Sequence, residues 1–471
     1  MLVQFSVENF LSFDKESIFS MLAASGGQHP KHLVPDVPRK GDALLRGAAI
    51  YGANAAGKSN LIQALRFMQD LIRRGTRSGQ TIPVLPFKLA KDKGRPSKFE
   101  IIFKTQGVLY QYGFRADARQ ILEEWLYATP KSHEVTYFER ATNDQGKVEV
   151  EVSTALAGRS AKNRQFLEFV AQGTRPNQLF LNEAADRNVP KIHPVIQWFQ
   201  EVLVTIPAEV QANTLEVAMH QDERATQRFA AFLQSAGTGI DAITTVEKPF
   251  DFDTHTPGIT DADREEFREQ IAHLGKEDIL EVQAPWGRRF LVTRGERGEP
   301  VRVDLKMQHR ASDGRLVTFD MEEESEGTQR LIHLLPALLM LKETPEKVVV
   351  LDELDRRFHT LLSRLFVQTA LDCDDEHRHS QLIFTTHDTN LLNLDLLRRD
   401  EIWFVEKDKG GASHLSSLAE YKIREDLKIE KGYLNGRFGA LPFSGQPECL
   451  GWTPNGDTVS GDEHQEVAGL V

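Results

Sequence analysis

Ile50-Tyr51-Gly52-Ala53-Asn54-Ala55-Ala56-Gly57-Lys58-Ser59 satisfies the pattern GxxxxGK[ST] at every fixed position. Gly52 and Gly57 let the backbone turn sharply, so that successive N–H groups and the start of the following helix can point at a phosphate. Lys58 is placed to reach the outer phosphates of a nucleotide as a point charge, and the Ser59 hydroxyl to hold Mg2+. Asn54 inside the loop and Asn60 just after it complete the candidate nucleotide-binding set. The bare pattern arises by chance in about one per cent of chains this long, so its setting decides. Apolar Ala48 to Tyr51 lead into it as a strand, and Leu61, Ile62, Leu65 and Met68 follow at helical spacing. Strand, loop and helix in that order require an α/β fold organised around a P-loop.

The 471 residues can form two or three domains of about 150 residues each. Two cysteines, Cys373 and Cys449, are too few for a disulfide framework and point to a reducing, cytoplasmic setting. The opening MLVQFSVENF lacks a basic segment before an apolar core, and no run of about 18 apolar residues occurs, so neither secretion nor a membrane span is expected. A net charge of −12 argues against broad non-specific affinity for nucleic acid. Local basic patches remain: Arg73-Arg74 with Arg77, Arg398-Arg399, and the run Lys422, Arg424, Lys428, Lys431. A solvated face is the simpler account of each.

Along the chain, Leu2, Val3, Phe5 and Val7 form an opening strand, and Ile18 to Leu22 a second. Ser25 to Gly41 is a loop before the P-loop strand. Phe99 to Phe103, Leu109 to Phe114 and Ile121 to Tyr127 alternate at hairpin spacing and predict an antiparallel meander. From Thr129 to Pro300, Arg164 to Gln172, Val195 to Val204, Arg224 to Gln234 and Arg264 to Leu274 have helical patterning between Pro, Gly and polar breaks. No heptad persists, so a compact, mainly helical insertion over 129–300 is expected in place of a coiled-coil arm. Strand patterns resume at Phe290 to Thr293, Val301 to Val303 and Leu316 to Phe319. Glu322 to Arg330 then lead into an apolar helix, Leu331 to Leu341. Val348 to Leu351, Leu382 to Thr386 and Ile402 to Val405 are continuous apolar runs of the kind buried parallel strands need. Past Phe443 the apolar periodicity disappears, and 444–471 reads as a disordered tail.

Three chemical groups fall at strand ends. The P-loop follows Tyr51, Asp352-Glu353 follow Leu351, and His387 follows Thr386. Ligands bind at the carboxyl ends of parallel strands. Asp352 can then hold Mg2+ together with Ser59, and Glu353 can orient and polarise an attacking water, since phosphoryl transfer is mostly positioning and charge stabilisation. Two other clusters carry less. Cys373 to His379 lies in a polar loop without metal-ligand spacing, and Asp251, Asp253, His255, Asp261 and Asp263 read as an acidic loop.

The set GANAAGKS, SEGTQR, VVVLDELD and TTHD resembles the Walker A, signature, Walker B with D-loop, and switch-histidine elements of the ATP-binding-cassette class of P-loop ATPases. ENFLSF at 8–13 is similar to the start of its chromosome-maintenance and recombination branch. DELDRRFH, THDTNLL and GRFGALPF resemble bacterial AAA-type ATPases related to overcoming-lysogenization-defect proteins, a group serving in phage defence that includes the ATPase subunit of the PARIS system.

The resemblance implies an ABC-type ATPase head, a mixed sheet flanked by helices with an antiparallel β subdomain. Residues 1–128 and 301–443 would be its two halves. It implies ATP and Mg2+ as cofactors, slow hydrolysis with Glu353, Lys58 and His387 as catalytic residues, and a homodimer or higher homo-oligomer whose heads sandwich ATP. Ser325, Gly327 and Asp355 would act across that interface, and His387 would sense the γ-phosphate. The signature departs from Ser-Gly-Gly-Gln, and neither Gln80 nor Gln106 has a convincing Q-loop setting. Overcoming-lysogenization-defect nucleases carry a Toprim domain after the ATPase, whereas 84 residues follow His387 here (471 − 387). An effector nuclease is therefore expected from a partner chain, with a phage-derived trigger. The alternative is a DNA-repair or recombination ATPase that binds duplex DNA directly.

Overall fold

The computed structural model describes residues 1–26, 28–35, 37, 41–143, 145–208, 223–275, 278–283, 289–295, 297–372, 378–421, 429–434 and 438. Its central layer is a six-stranded sheet in the order Leu203–Ile206, Val348–Leu351, Gln381–Thr385, Gly47–Tyr51, Ile402–Lys407, Ser413–Ser417. The first five strands are mutually parallel and the last pairs antiparallel. The P-loop strand, Val348–Leu351 and Gln381–Thr385 are buried at every position, as continuous apolar runs covered on both faces must be.

Alternation along these strands sends side chains to two different cores. Ala48, Ile50, Val348, Val350 and Ile383 pack with Leu61, Ile62, Leu65 and Met68 of the P-loop helix Lys58–Arg74. Ala49, Tyr51, Val349, Leu351, Leu382 and Phe384 pack with Leu334 and Leu338 of helix Glu326–Glu343 and with Phe366 and Val367 of helix Thr360–Leu371. The sheet is thus a layer between the helix that starts at the P-loop and the helix that starts at the signature segment.

The expected meander is the middle of a larger antiparallel sheet. Its order is Val148–Val152, Val135–Thr142, Ile121–Thr129, Val108–Ala116, Ser97–Thr105, Leu2–Glu8, Ser17–Ser20. The opening strand therefore joins the meander and not the nucleotide-binding sheet.

The expectation of a mainly helical 129–300 segment is corrected. Helices Ala161–Gly173, Phe180–Asp186, Glu223–Ser235 and Asp261–Ala272 are present, but strands alternate with them. Val135–Thr142 and Val148–Val152 extend the seven-stranded sheet, the latter through the alternating sequence VEVEV. The helical pattern over Val195 to Val204 ends in a π-helical turn, Trp198–Val202, after which Leu203–Ile206 enters the central sheet. A third sheet pairs Ile240–Pro249, Pro300–Arg310, Arg289–Arg294 and Leu280–Gln283, with Leu316–Asp320 also on Pro300–Arg310. Its apolar face takes Phe229 and Leu233 of helix Glu223–Ser235.

Arg398-Arg399 is an internal fastening and not a basic surface. Arg398 is buried, pairs with Asp400 at 2.8 Å and donates to the carbonyls of Gln28 and Gly26, while Arg399 donates to the Tyr421 carbonyl. Asp251 likewise caps the short helix Phe252–His255 instead of sitting in an open acidic loop. Among the described residues no helix is long and apolar enough to cross a membrane. Cys373 to His377, Lys422, Arg424, Lys428 and the 444–471 tail lie outside the described residues, as does GRFGALPF apart from Phe438, which stacks on Phe404.

Candidate functional site

Tyr51, Ile206, Leu351 and Thr385 end four adjacent parallel strands at one edge of the central sheet. The chain leaving Tyr51 turns at two glycines that admit no side chain. A Cβ on Gly52 would stand 2.4 Å from the Val405 carbonyl oxygen, and one on Gly57 2.3 Å from Ser413 Oγ, with Gly57 also at φ 118°. Ala55 between them is left-handed at φ 61°. Gly57 begins helix Lys58–Arg74 with no side-chain cap, so the first N–H groups of that helix are free to bind an anion.

The loop is braced from behind. Ser413 Oγ lies 2.5 Å from the Ala56 carbonyl and 2.7 Å from Ser12 Oγ, which accepts from the Asn60 amide at 2.7 Å. Asn60 therefore belongs to the brace, whereas Asn54 is exposed on the loop. Ser12, from the opening ENFLSF, is a residue the motif reading quoted without a role.

Lys58 is buried and folds back onto its own loop. Its Nζ donates to the carbonyls of Gly52 at 2.8 Å and Ala53 at 3.1 Å and stands 3.4 Å from His387 Nδ1. Burial lowers its pKa to about 8, opposed by the nearby carboxylates of Asp352, Asp355 and Glu353. The His387 imidazole is also held below its ordinary value, first by burial and then by the Lys58 charge.

Opposite the lysine, Asp352 presents Oδ1 to two hydroxyls, Thr385 Oγ1 at 2.6 Å and Ser59 Oγ at 3.2 Å. Its backbone N–H donates to the Ile206 carbonyl at 3.0 Å, tying it to the edge strand. Glu353 is left-handed at φ 51° and donates its N–H to Thr385 Oγ1 at 2.7 Å, while its carboxylate approaches Arg356 at 3.5 Å. The Asp355 carboxylate accepts the His387 backbone N–H at 3.2 and 3.3 Å. A serine hydroxyl beside a carboxylate, next to a helix N-terminus, is the hard-oxygen donor set that Mg2+ takes when it also binds phosphate. Ser59 and Asp352 fit that ion.

The signature segment meets this cluster from the side. Ser325 caps helix Glu326–Glu343, accepting from the Thr328 N–H at 3.2 Å. A Cβ on Gly327 would be 2.9 Å from the Arg357 carbonyl, so the helix start packs directly on the turn after Asp355. The buried Arg330 reaches the Asp352 carbonyl at 3.5 Å. Its guanidinium is held below its ordinary pKa by burial first, then by Arg356.

One chain thus brings together Lys58, Ser59, Asp352, Glu353, Asp355 and His387, with Ser325 and Gly327 adjoining through Arg330 and Arg357. Sequence reasoning missed Thr385 and Arg330, although both lie inside quoted motifs. Gln80 and Gln106 are both exposed, bonded to Arg77 and Gln197 respectively.

The model of a family described as "AAA domain, putative AbiEii toxin, Type IV TA system" matches residues 48–393. Similar solved structures include the SMC head domain from Thermotoga maritima, 12% identical over 90% of this chain and 99% of that one with a TM-score of 0.36. Another is an SMC head bound to the C-terminal winged-helix domain of ScpA, 12% identical over 88% and 97% with a TM-score of 0.41. A third, the SMC head with an extended coiled coil bound to the C-terminal domain of ScpA from Pyrococcus furiosus, is 13% identical over 93% and 98% with a TM-score of 0.38. No curated protein matches the chain.

Proposed function

Because the chain belongs to this AAA-domain family, whose model spans the P-loop, the acidic strand end and the switch histidine, we propose that it is an ATP-binding and hydrolysing molecular switch. The observation that carries this reading is the placement of Asp352, held by Ser59 and Thr385, with Glu353 one residue further and Lys58 across the loop.

The N-terminus of helix Lys58–Arg74 and the loop N–H groups receive the phosphates. Lys58 exchanges the Gly52 and Ala53 carbonyls for the outer phosphate oxygens. Ser59 and Asp352 hold Mg2+, which, when bound, neutralises charge on the phosphates. Glu353 orients a water for in-line attack and accepts its proton. His387 contacts the γ-phosphate and relays its presence to Asp355 through its backbone N–H. Ser325 and Gly327 complete the site of a second copy, giving a dimer with ATP between the heads. Hydrolysis is slow, as suits a timer of assembly.

Within that class the protein is a cytoplasmic anti-phage sensor related to overcoming-lysogenization-defect ATPases, of the kind found in the PARIS system. Its assembly state holds or releases a separate effector, such as a Toprim nuclease, on a phage-derived trigger. The family description's mention of a toxin–antitoxin system supports pairing with an effector. The duplex-DNA alternative loses one of its supports, because Arg398 is buried against Asp400.

The test is Glu353→Gln. ATP turnover is expected to fall at least tenfold and ATP-dependent oligomers, followed by light scattering, to become more stable. Unchanged turnover and unchanged assembly would overturn the assignment. Salt-dependent binding to long duplex DNA would favour the repair reading instead.

A further inference from the structure

Thr385 is fully buried at the end of the strand that precedes His387, and its hydroxyl makes two bonds whose directions are forced. A backbone N–H can only donate, so Thr385 Oγ1 accepts from Glu353 N at 2.7 Å. The hydroxyl has one proton, and it goes to Asp352 Oδ1 at 2.6 Å. Asp352 Oδ1 is therefore the acceptor of that bond. Ser59 Oγ donates to the same Oδ1. Both hydroxyls thus converge on one oxygen of Asp352 and fix the orientation of its carboxylate.

The second bond acts on Glu353. This residue is left-handed, a backbone state that a residue other than glycine rarely adopts. Two bonds hold it there, its own N–H to Thr385 Oγ1 and the Arg356 N–H to its carbonyl at 3.1 Å. Beside them, Leu354 N–H donates to the Thr385 carbonyl at 3.0 Å, so the acidic turn is stitched to one residue of the neighbouring strand.

The geometry points to Thr385 as a positioning residue that sets the metal-facing oxygen of Asp352 and the aim of Glu353 with a single hydroxyl. This rests on the ATPase reading above. Because the same strand continues into His387, whose N–H binds Asp355, a shift of the histidine on phosphate contact is passed to both carboxylates through Thr385.

Thr385→Val keeps the branched shape and removes both bonds. Binding of a fluorescent, slowly hydrolysed ATP analogue without Mg2+ is expected to stay within about threefold of the parent, since the phosphate contacts of the loop are untouched. The Mg2+ concentration for half-maximal enhancement of that binding is expected to rise at least about fivefold, and turnover to fall about 10–100-fold. Thr385→Ser, which keeps the hydroxyl, is expected to restore both to within about threefold. Thr385→Val with unchanged Mg2+ dependence and turnover would overturn the role. So would equal damage from Thr385→Ser, which would show that the methyl group and not the hydroxyl matters. If Thr385→Val melts far below the parent, Thr385→Ser and Thr385→Cys carry the same comparison. A parent protein that binds no ATP at all would instead overturn the ATPase reading.

Discussion

Lys58 Nζ lies 3.4 Å from His387 Nδ1 although the two residues are 329 positions apart in the chain. An ammonium can only donate, so Nδ1 accepts and the imidazole is neutral with its proton on Nε2. The pair therefore meets in the form that leaves an N–H to offer an incoming phosphate. Lys58→Ala is expected to weaken ATP binding at least about tenfold, whereas His387→Ala leaves affinity within about threefold and lowers turnover about 10–100-fold. Nucleotide titration together with phosphate release separates the two. Equal loss of affinity in both variants would contradict the division of labour.

The signature residues give a different kind of prediction, because the role proposed for them needs a second copy. Ser325→Arg and Lys58→Ala are each expected to be nearly inactive alone. Mixed in equal amounts, they should recover about a quarter of wild-type turnover: half the dimers are mixed, and each mixed dimer has one intact site. Recovery near zero, with mixed dimers confirmed by mass measurement, would place Ser325 in the site of its own chain.

Glu124 and Arg140 anchor the expected meander to the segment after it. Both are buried, and the Glu124 carboxylate accepts from Tyr112 Oη at 3.0 Å and from the backbone N–H groups of Phe180 and Leu181 at 2.6 and 3.0 Å. Burial raises the Glu124 carboxyl above its ordinary pKa despite the Arg140 charge and these donors. Arg140→Ala should destabilise the protein by about 3–5 kcal/mol in a denaturant melt, since it leaves a buried carboxylate without its cation. A change under about 1 kcal/mol would show that Glu124 is protonated and indifferent to its partner.

His333, on the helix that starts at the signature segment, titrates at about 4, lowered by burial first and by Arg330 second. Its folded pKa lies below the unfolded value of 6.5, so the unfolded chain binds the extra proton and stability is lost as pH falls from 6.5 towards 4. Allowing for partial exposure, this amounts to about 2 kcal/mol. His333→Gln is expected to flatten the acid limb of a melting-temperature profile by that amount and to leave it unchanged above pH 7. A parallel profile over the whole range would remove His333 as a contributor.

The site was legible where chemistry forces residue identity. The glycines that a Cβ would drive into Val405 or Ser413, the lysine, the Asp352-Glu353 pair after a run of valines, and His387 all fall where the sequence put them. Thr385 was not legible, because threonine at the end of an apolar strand is also what β-propensity alone would select. The 129–300 segment was misread for a related reason. Val148–Val152 is half exposed and reads as polar, and Leu203–Ile206 follows a helical pattern without a break residue. Pairing decides both, with the hairpin partner Val135–Thr142 for the first and Val348–Leu351, 145 positions on (348 − 203), for the second, and local periodicity does not contain it. Arg398, an arginine pair in sequence, is drawn inside by Asp400 and loop carbonyls that no short-range pattern reveals.

The order of strands in the central sheet also governs how the protein is made. Gly47–Tyr51 has as its neighbours Gln381–Thr385 and Ile402–Lys407, so the phosphate-binding strand emerges early from the ribosome and waits for partners synthesised more than 300 residues later. The seven-stranded antiparallel sheet, complete by Val152, can form during that wait. Until Lys407 is available, the strand bearing the P-loop is a bare apolar edge, and the nascent chain is an aggregation hazard with no nucleotide to stabilise it. A ribosome stalled before that point would release a dead product, so that an enclosed P-loop strand certifies a chain translated through Lys407.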